Sequence, residues 1–95
     1  MSFLGAGNMG EALVSGLIIS GSARPENILC ADIRGERLEE MRTRYGVGIT
    51  SRNTDAVAWA DVIIYAVKPQ LMAEVLQETA DQLDLSKVII SIAAG

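Results

Sequence analysis

The sequence predicts an α/β domain built on a doubly wound parallel sheet with strand order 3-2-1-4-5. Two runs, Val62-Ile63-Ile64-Tyr65-Ala66-Val67 and Val88-Ile89-Ile90-Ser91-Ile92, are short, β-branched and nearly unbroken in apolar residues. Strands covered on both faces read this way. Helical patterns with i, i+3, i+4 spacing lie between such runs, so strands and helices alternate. A glycine-rich hexapeptide, Gly5-Ala6-Gly7-Asn8-Met9-Gly10, joins the first apolar stretch to the first helical pattern.

Each element follows in turn from the residues. Phe3-Leu4 is an unusually brief first strand. Met9, Ala12, Leu13, Gly16, Leu17 and Ser20 share one face of the first helix, which Gly21 can end in a left-handed cap. Ile28 to Ala31 is the second strand. Leu38, Met41 and Tyr45 repeat along the second helix, and Gly46 stops it. Glu40 and Arg44, four apart, predict an exposed pair worth ~0.3–0.5 kcal/mol. Val47 to Thr50 is a weaker third strand, and residues 53–60 hold a short helix. After the fourth strand, Pro69 suits the first helical position, where its missing N–H costs nothing. Met72, Val75, Leu76, Thr79 and Leu83 form that helix's buried stripe, and Val88 to Ile92 is the fifth strand. Strands alternating with helices imply crossovers that place helices on both faces of the sheet.

Composition bounds the function. The chain has 95 residues, about one small domain, with 49% hydrophobic and 21% charged residues, a globular balance. Eight basic against twelve acidic residues leave a net charge of −4, which argues against a broad surface for nucleic acid or anionic membrane. A single Cys excludes an internal disulfide, and the absence of His removes imidazole as metal ligand or general base. No metal site is expected. Cys30 falls within a strand, and Met9, Met41, Trp59 and Met72 read as packing residues. The longest clean apolar run falls far short of the ~20 residues that cross a bilayer. With no basic leader in view and few thiols, a cytoplasmic protein is expected.

The hexapeptide is a full G-x-G-x-x-G between a strand and a helix, the arrangement that cradles a dinucleotide pyrophosphate. Gly5 permits the tight turn, Gly7 lets the phosphates approach the backbone, and Gly10 lets helix and strand pack closely. The helix start then offers free N–H groups and the positive end of its dipole. Asp32 stands at the end of the second strand, 22 residues past Gly10. A carboxylate there accepts hydrogen bonds from the adenine ribose and favours NAD. Arg34 has the opposite capacity, pairing with the 2′-phosphate of NADP, and Arg37 is placed to assist it; the other reading of both arginines is a solvated surface charge. The residues leave NADH and NADPH both open. Lys68 reads either as a solvated loop charge or as a stem lying along the cofactor.

Three segments together carry a resemblance: Gly-Ala-Gly-Asn-Met-Gly at 5–10, Ala-Val-Lys-Pro-Gln at 66–70 and Ser-Ile-Ala-Ala-Gly at 91–95. The chain resembles, over essentially its whole length, the N-terminal NAD(P)-binding Rossmann domain of the pyrroline-5-carboxylate reductases. The resemblance implies reduction of a cyclic imine, 1-pyrroline-5-carboxylate, to L-proline with NADPH or NADH. It also implies cofactor contacts at Leu4, Gly5, Ala6, Gly7, Asn8 and Met9, then at Asp32 and Asn53. Further contacts fall at Ala66, Val67 and Lys68, and at Ile92, Ala93 and Ala94 near the nicotinamide. No catalytic residue is expected within residues 1–95. Relatives carry an all-helical second domain beyond this point, which forms the dimer and most of the imine pocket, so residues 1–95 alone are expected to be inactive. Position 32 is acidic where NADP-using relatives have a polar uncharged residue. Two other readings stand beside this one. One is another two-domain dehydrogenase, such as a β-hydroxyacid dehydrogenase or a deazaflavin-dependent NADP reductase, against which the Ser-Ile-Ala-Ala-Gly segment argues. The other is a free-standing module that senses the nucleotide without turnover.

Overall fold

The computed structural model describes residues 1–92. Its strands are β1 (Ser2–Leu4), β2 (Leu29–Ala31), β3 (Gly48–Thr50), β4 (Val62–Tyr65) and β5 (Val88–Ser91). They form one sheet in the order β3-β2-β1-β4-β5, every pair parallel. Helices α1 (Asn8–Ile19), α2 (Gly35–Tyr45), α3 (Asn53–Trp59) and α4 (Pro69–Thr79) fill the connections. The expected architecture and strand order are those observed.

Register explains the two layers. Phe3 pairs with Cys30 and with Ile64, so these three share a face, where they pack with Val14 of α1 and with Leu38 and Met41 of α2. Leu4 pairs with Ala31 and Tyr65, which face the other way onto Ala56 and Val57 of α3 and Val75 of α4. The period of two along each strand therefore feeds two cores, one per face. Tyr65 is fully buried with its hydroxyl 2.8 Å from Thr79 Oγ1, which also donates to the Val75 carbonyl. Burial pushes the Cys30 thiol up to about 11, so it is an inert packing group.

The caps fall where glycine and proline place them. Gly21 (φ 76°) closes α1: its N–H reaches Ile18 O and the Ser22 N–H reaches Leu17 O. Gly46 (φ 74°) closes α2, and Pro69 opens α4.

Several expectations are corrected. The buried residues of α1 are Gly10 and Val14, with Leu17 and Ile18 partly buried. Met9, Ala12, Leu13, Gly16 and Ser20 of the expected stripe are exposed. The cause is Gly10. A Cβ there would lie 2.8 Å from Gly5 O, so the start of α1 is pressed onto the loop and the helix rotation is fixed. Since α1 is apolar on most sides, its spacing alone did not choose the face. Glu40 does not pair with Arg44: it takes Arg37, while Arg44 reaches Glu11 on α1. Strand β5 is not covered on both faces, for Val88, Ile89 and Ile90 are all exposed at the sheet edge. Leu76 is exposed, and so are Met9 and Trp59, while Met41 is in the core beneath α1 and α2 and Met72 packs on the rim of the other core, beneath α3 and α4.

Candidate functional site

Parallel strands end together. Thr50, Ala31, Leu4, Tyr65 and Ser91 stand side by side in register along the carboxyl edge of the sheet. The chain leaves β1 there toward α1, between β2 on one side and β4 on the other. This is the point where strand order reverses and where open α/β sheets bind ligands.

The three loop glycines differ physically. Gly5 has φ 102°, and a Cβ on it would stand 2.7 Å from Ala66 O. Its N–H is held by Ala31 O at 2.8 Å, and the Ala66 N–H by Leu4 O at 2.8 Å, so the turn is locked between β2 and β4. Gly10 is closed off by Gly5 O. Gly7 is the exception: a Cβ there would meet nothing within 4 Å. Its backbone is extended (φ −77°, ψ −169°), which any residue adopts. The space beside it is open to a ligand. Gly7 caps α1 without a side-chain hydrogen bond, and the first helical bond is Glu11 N–H to Gly7 O at 2.9 Å. The N–H groups of Asn8 and Met9 are free for an anion among the described residues.

Asp32, directly after β2, is drawn into this loop. Its Oδ2 accepts the Ala6 N–H at 2.8 Å, and its Oδ1 accepts the Arg34 N–H at 2.9 Å. The Arg34 guanidinium adds two more bonds, one to each carboxylate oxygen. Burial pushes the Asp32 carboxyl up, but the hydrogen bonds from Arg34 and Ala6 outweigh it and hold the group below the usual range. The Asp32 side chain is 7% exposed and that of Arg34 58%. The two residues read separately from the sequence are thus one ion pair, with the arginine outermost. Between them Ile33 is 89% exposed. Sequence reasoning passed over it, although an apolar residue between two charges just past a strand end is a legible signal.

Arg37 departs from both earlier expectations, for it is neither a solvated charge nor aimed at Arg34's position. From the first turns of α2 its Nε donates to Ala6 O at 2.5 Å, and its Nη2 donates to Gly7 O at 3.4 Å and to Glu11 at 2.5 Å. Glu11 also accepts the Tyr45 hydroxyl at 2.6 Å and Arg44 at 2.8 Å. Those bonds, the Tyr45 hydroxyl first and then the two arginines, lower the Glu11 carboxyl to about 2.

The remaining candidates line the same edge. Asn53 opens α3 just past β3, half-buried. Ala66 is buried behind Gly5, Val67 packs against the α3/α4 core, and Lys68 is an exposed residue at the start of α4. Ile92 follows β5, its N–H on Tyr65 O at 3.1 Å. Leu4 and Ala6 are buried, so their side chains support the loop from beneath. Ala93 and Ala94 lie outside the described residues. No described helix is long and apolar enough to cross a membrane.

Relatives match this whole chain. Pyrroline-5-carboxylate reductases of Methanosarcina acetivorans and Escherichia coli are 38% and 34% identical over 95 residues, and the chain spans 35% of each. That of Corynebacterium melassecola is 41% identical over 98 residues, with 36% of its length covered. The chain thus spans about a third of the length of the curated relatives it matches. Among solved structures, a pyrroline-5-carboxylate reductase from Coxiella burnetii superposes with a TM-score of 0.90 at 34% identity, covering 97% of this chain and 34% of that one. A Plasmodium falciparum pyrroline carboxylate reductase with NADP bound gives 0.82 at 28% identity, covering 97% and 32%. A prephenate dehydrogenase from A. aeolicus, 16% identical, shares the fold at 0.83 over 95% of this chain and 32% of that one. The family model described as NADP oxidoreductase coenzyme F420-dependent matches residues 1–95, and the chain belongs to that family.

Proposed function

We propose that residues 1–95 are the dinucleotide-binding part of a reductase that converts 1-pyrroline-5-carboxylate to L-proline with NADPH or NADH. The observation that carries the cofactor assignment is Gly7. It is the one glycine of the hexapeptide whose missing side chain the protein does not fill, and it stands at the start of a helix with free N–H groups. The relatives' names carry the substrate.

The Gly7, Asn8 and Met9 amides would hold the pyrophosphate, with Gly5 and Gly10 fixing their backbone. Asp32 and Arg34 would meet the adenosine ribose or its 2′-phosphate, with Ile33 offering an apolar surface beside them and Asn53 next to it. Ala66, Val67 and Lys68 would line the middle of the cofactor, and Ile92, Ala93 and Ala94 the nicotinamide end. When bound, the dihydronicotinamide supplies the hydride that reduces a C=N bond. The chain's own task is to orient that ring and shield its face from water. No residue here is assigned proton transfer. We infer that the imine pocket and the dimer contacts belong to an all-helical domain outside residues 1–95; in support, this chain spans about a third of the relatives' length. The protein is assigned to the cytoplasm.

Purified polypeptide, as the cell makes it, should form proline from pyrroline-5-carboxylate with NADPH or NADH. Residues 1–95 alone should fall more than tenfold below it. Absence of proline formation with either cofactor by a folded protein would overturn the substrate assignment. Turnover of a 3-hydroxyacid or of reduced deazaflavin in its place would favour the second reading, another oxidoreductase of the family whose description names coenzyme F420.

A further inference from the structure

Arg37 reaches from α2 to the backbone carbonyls of the glycine loop. Ala6 O has no other partner among the described residues than Arg37 Nε. Gly7 O is shared between the Glu11 N–H and Arg37 Nη2. In a planar trans peptide the carbonyl and the following N–H point in opposite directions, and no described peptide is cis. Drawing the Ala6 and Gly7 carbonyls toward α2 therefore turns the Gly7 and Asn8 N–H groups outward, to where an anion would sit.

We propose that Arg37 is a positioning residue for dinucleotide binding, fixing two amide donors of the loop from behind. The inference rests on the cofactor reading above. Arg37 acts through geometry and not as a phosphate-attracting charge. Its side chain is 14% exposed and is paired with Glu11 on one side and Glu40 on the other. Glu11 is in turn fixed by Tyr45 and Arg44, so the guanidinium is gripped by α1 and α2 together. A planar fork meets this arrangement and a lysine ammonium does not, since the two carbonyls and the carboxylate lie around one guanidinium edge.

The test is titration of NADPH and NADH into the wild type, Arg37→Met and Arg37→Lys, with the amide resonances of Gly7 and Asn8 followed in each. Loss of charge-assisted bonds to the loop should weaken both nucleotides roughly 10- to 100-fold in Arg37→Met. Arg37→Lys keeps the charge and should still bind at least about fivefold more weakly than the wild type. In Arg37→Lys the Gly7 and Asn8 amides should shift, while those of Val14 and Ile63 stay in place. Wild-type affinity in Arg37→Lys, or affinity within about twofold in Arg37→Met, would overturn the proposal while leaving the cofactor reading intact. Core resonances that move with the loop would reduce Arg37 to a general structural tie. A wild type that binds neither nucleotide would sink both.

Discussion

Arg34 lies across the Asp32 carboxylate as a two-pronged fork, Nε on Oδ1 at 3.0 Å and Nη2 on Oδ2 at 2.9 Å. Under the proposed cofactor assignment, the pair joins two groups that pull the choice between NADPH and NADH in opposite directions. A free carboxylate at this place repels a 2′-phosphate, whereas a free guanidinium binds one. Here the carboxylate is spent on Arg34 and on the loop, and the guanidinium faces outward.

Neutralising the acid should release the arginine. In Asp32→Asn the Ala6 N–H keeps an acceptor, and NADPH affinity should rise relative to NADH by about 1–3 kcal/mol, the scale of one charge pair near the surface. In Arg34→Ala the ratio should move the other way by a similar amount. Titration of both nucleotides into the three proteins checks this. A fall in the NADPH to NADH ratio in Asp32→Asn would show that the carboxylate is not the discriminating charge.

The glycines should separate folding from binding. Gly5→Ala places a Cβ 2.7 Å from Ala66 O at a φ of 102°, and Gly10→Ala places one 2.8 Å from Gly5 O. Each should cost of order 1–3 kcal/mol or more in urea unfolding. Gly7→Ala has open space and an ordinary backbone, so it should cost no more than about 1 kcal/mol, the scale of exchanging Gly for Ala at a helix N-cap. A Gly7→Ala as destabilised as Gly5→Ala would mean that the loop is packed there after all.

Acid stability should depend on Glu11. Its carboxyl is held at about 2 against an ordinary 4.5 by the Tyr45 hydroxyl and by Arg37 and Arg44. A folded value below the unfolded one means that the folded state binds the proton less readily. The contribution is therefore full above about pH 4.5 and is lost as pH falls toward about 2. Denaturation curves from pH 6 down to pH 2 should show a shallower decline for Glu11→Gln than for the wild type. Parallel curves would contradict the role given to this carboxylate.

Tyr65 tests the second core. Removing its hydroxyl in Tyr65→Phe leaves Thr79 Oγ1 still donating to Val75 O. Only one neutral hydrogen bond is lost, so the cost in unfolding free energy should be about 0.5–1.5 kcal/mol. A loss above about 3 kcal/mol would place more than that bond on this hydroxyl.

Strand order and the glycine loop were legible in the sequence because local signals set them. Runs of β-branched residues mark the strands, alternation with helices makes them parallel, and the loop's glycine spacing is itself the requirement of the turn. The rotation of α1 was not legible, because Ala12, Leu13, Val14, Leu17 and Ile18 make several of its faces apolar and a contact with Gly5 decides among them. Nor were the partners of Arg37 and Arg44. Within α2 both arginines lie at helical distance from Glu40, yet Glu11, 26 and 33 residues away in sequence, takes them across the helix interface. Asp32 and Arg34 were each identified, but their mutual pairing depends on the chain's turn after β2, which two residue types alone do not specify.

On the proposed reading, the space beside Gly7 receives the pyrophosphate of a nicotinamide dinucleotide. Calorimetric titration of NADPH into the wild type and Gly7→Val measures it directly, with unfolding midpoints recorded for both. The wild type should show a single site and Gly7→Val no measurable binding, with the unfolding free energy lowered by no more than about 1 kcal/mol. Equal NADPH affinity in the two proteins would contradict that reading.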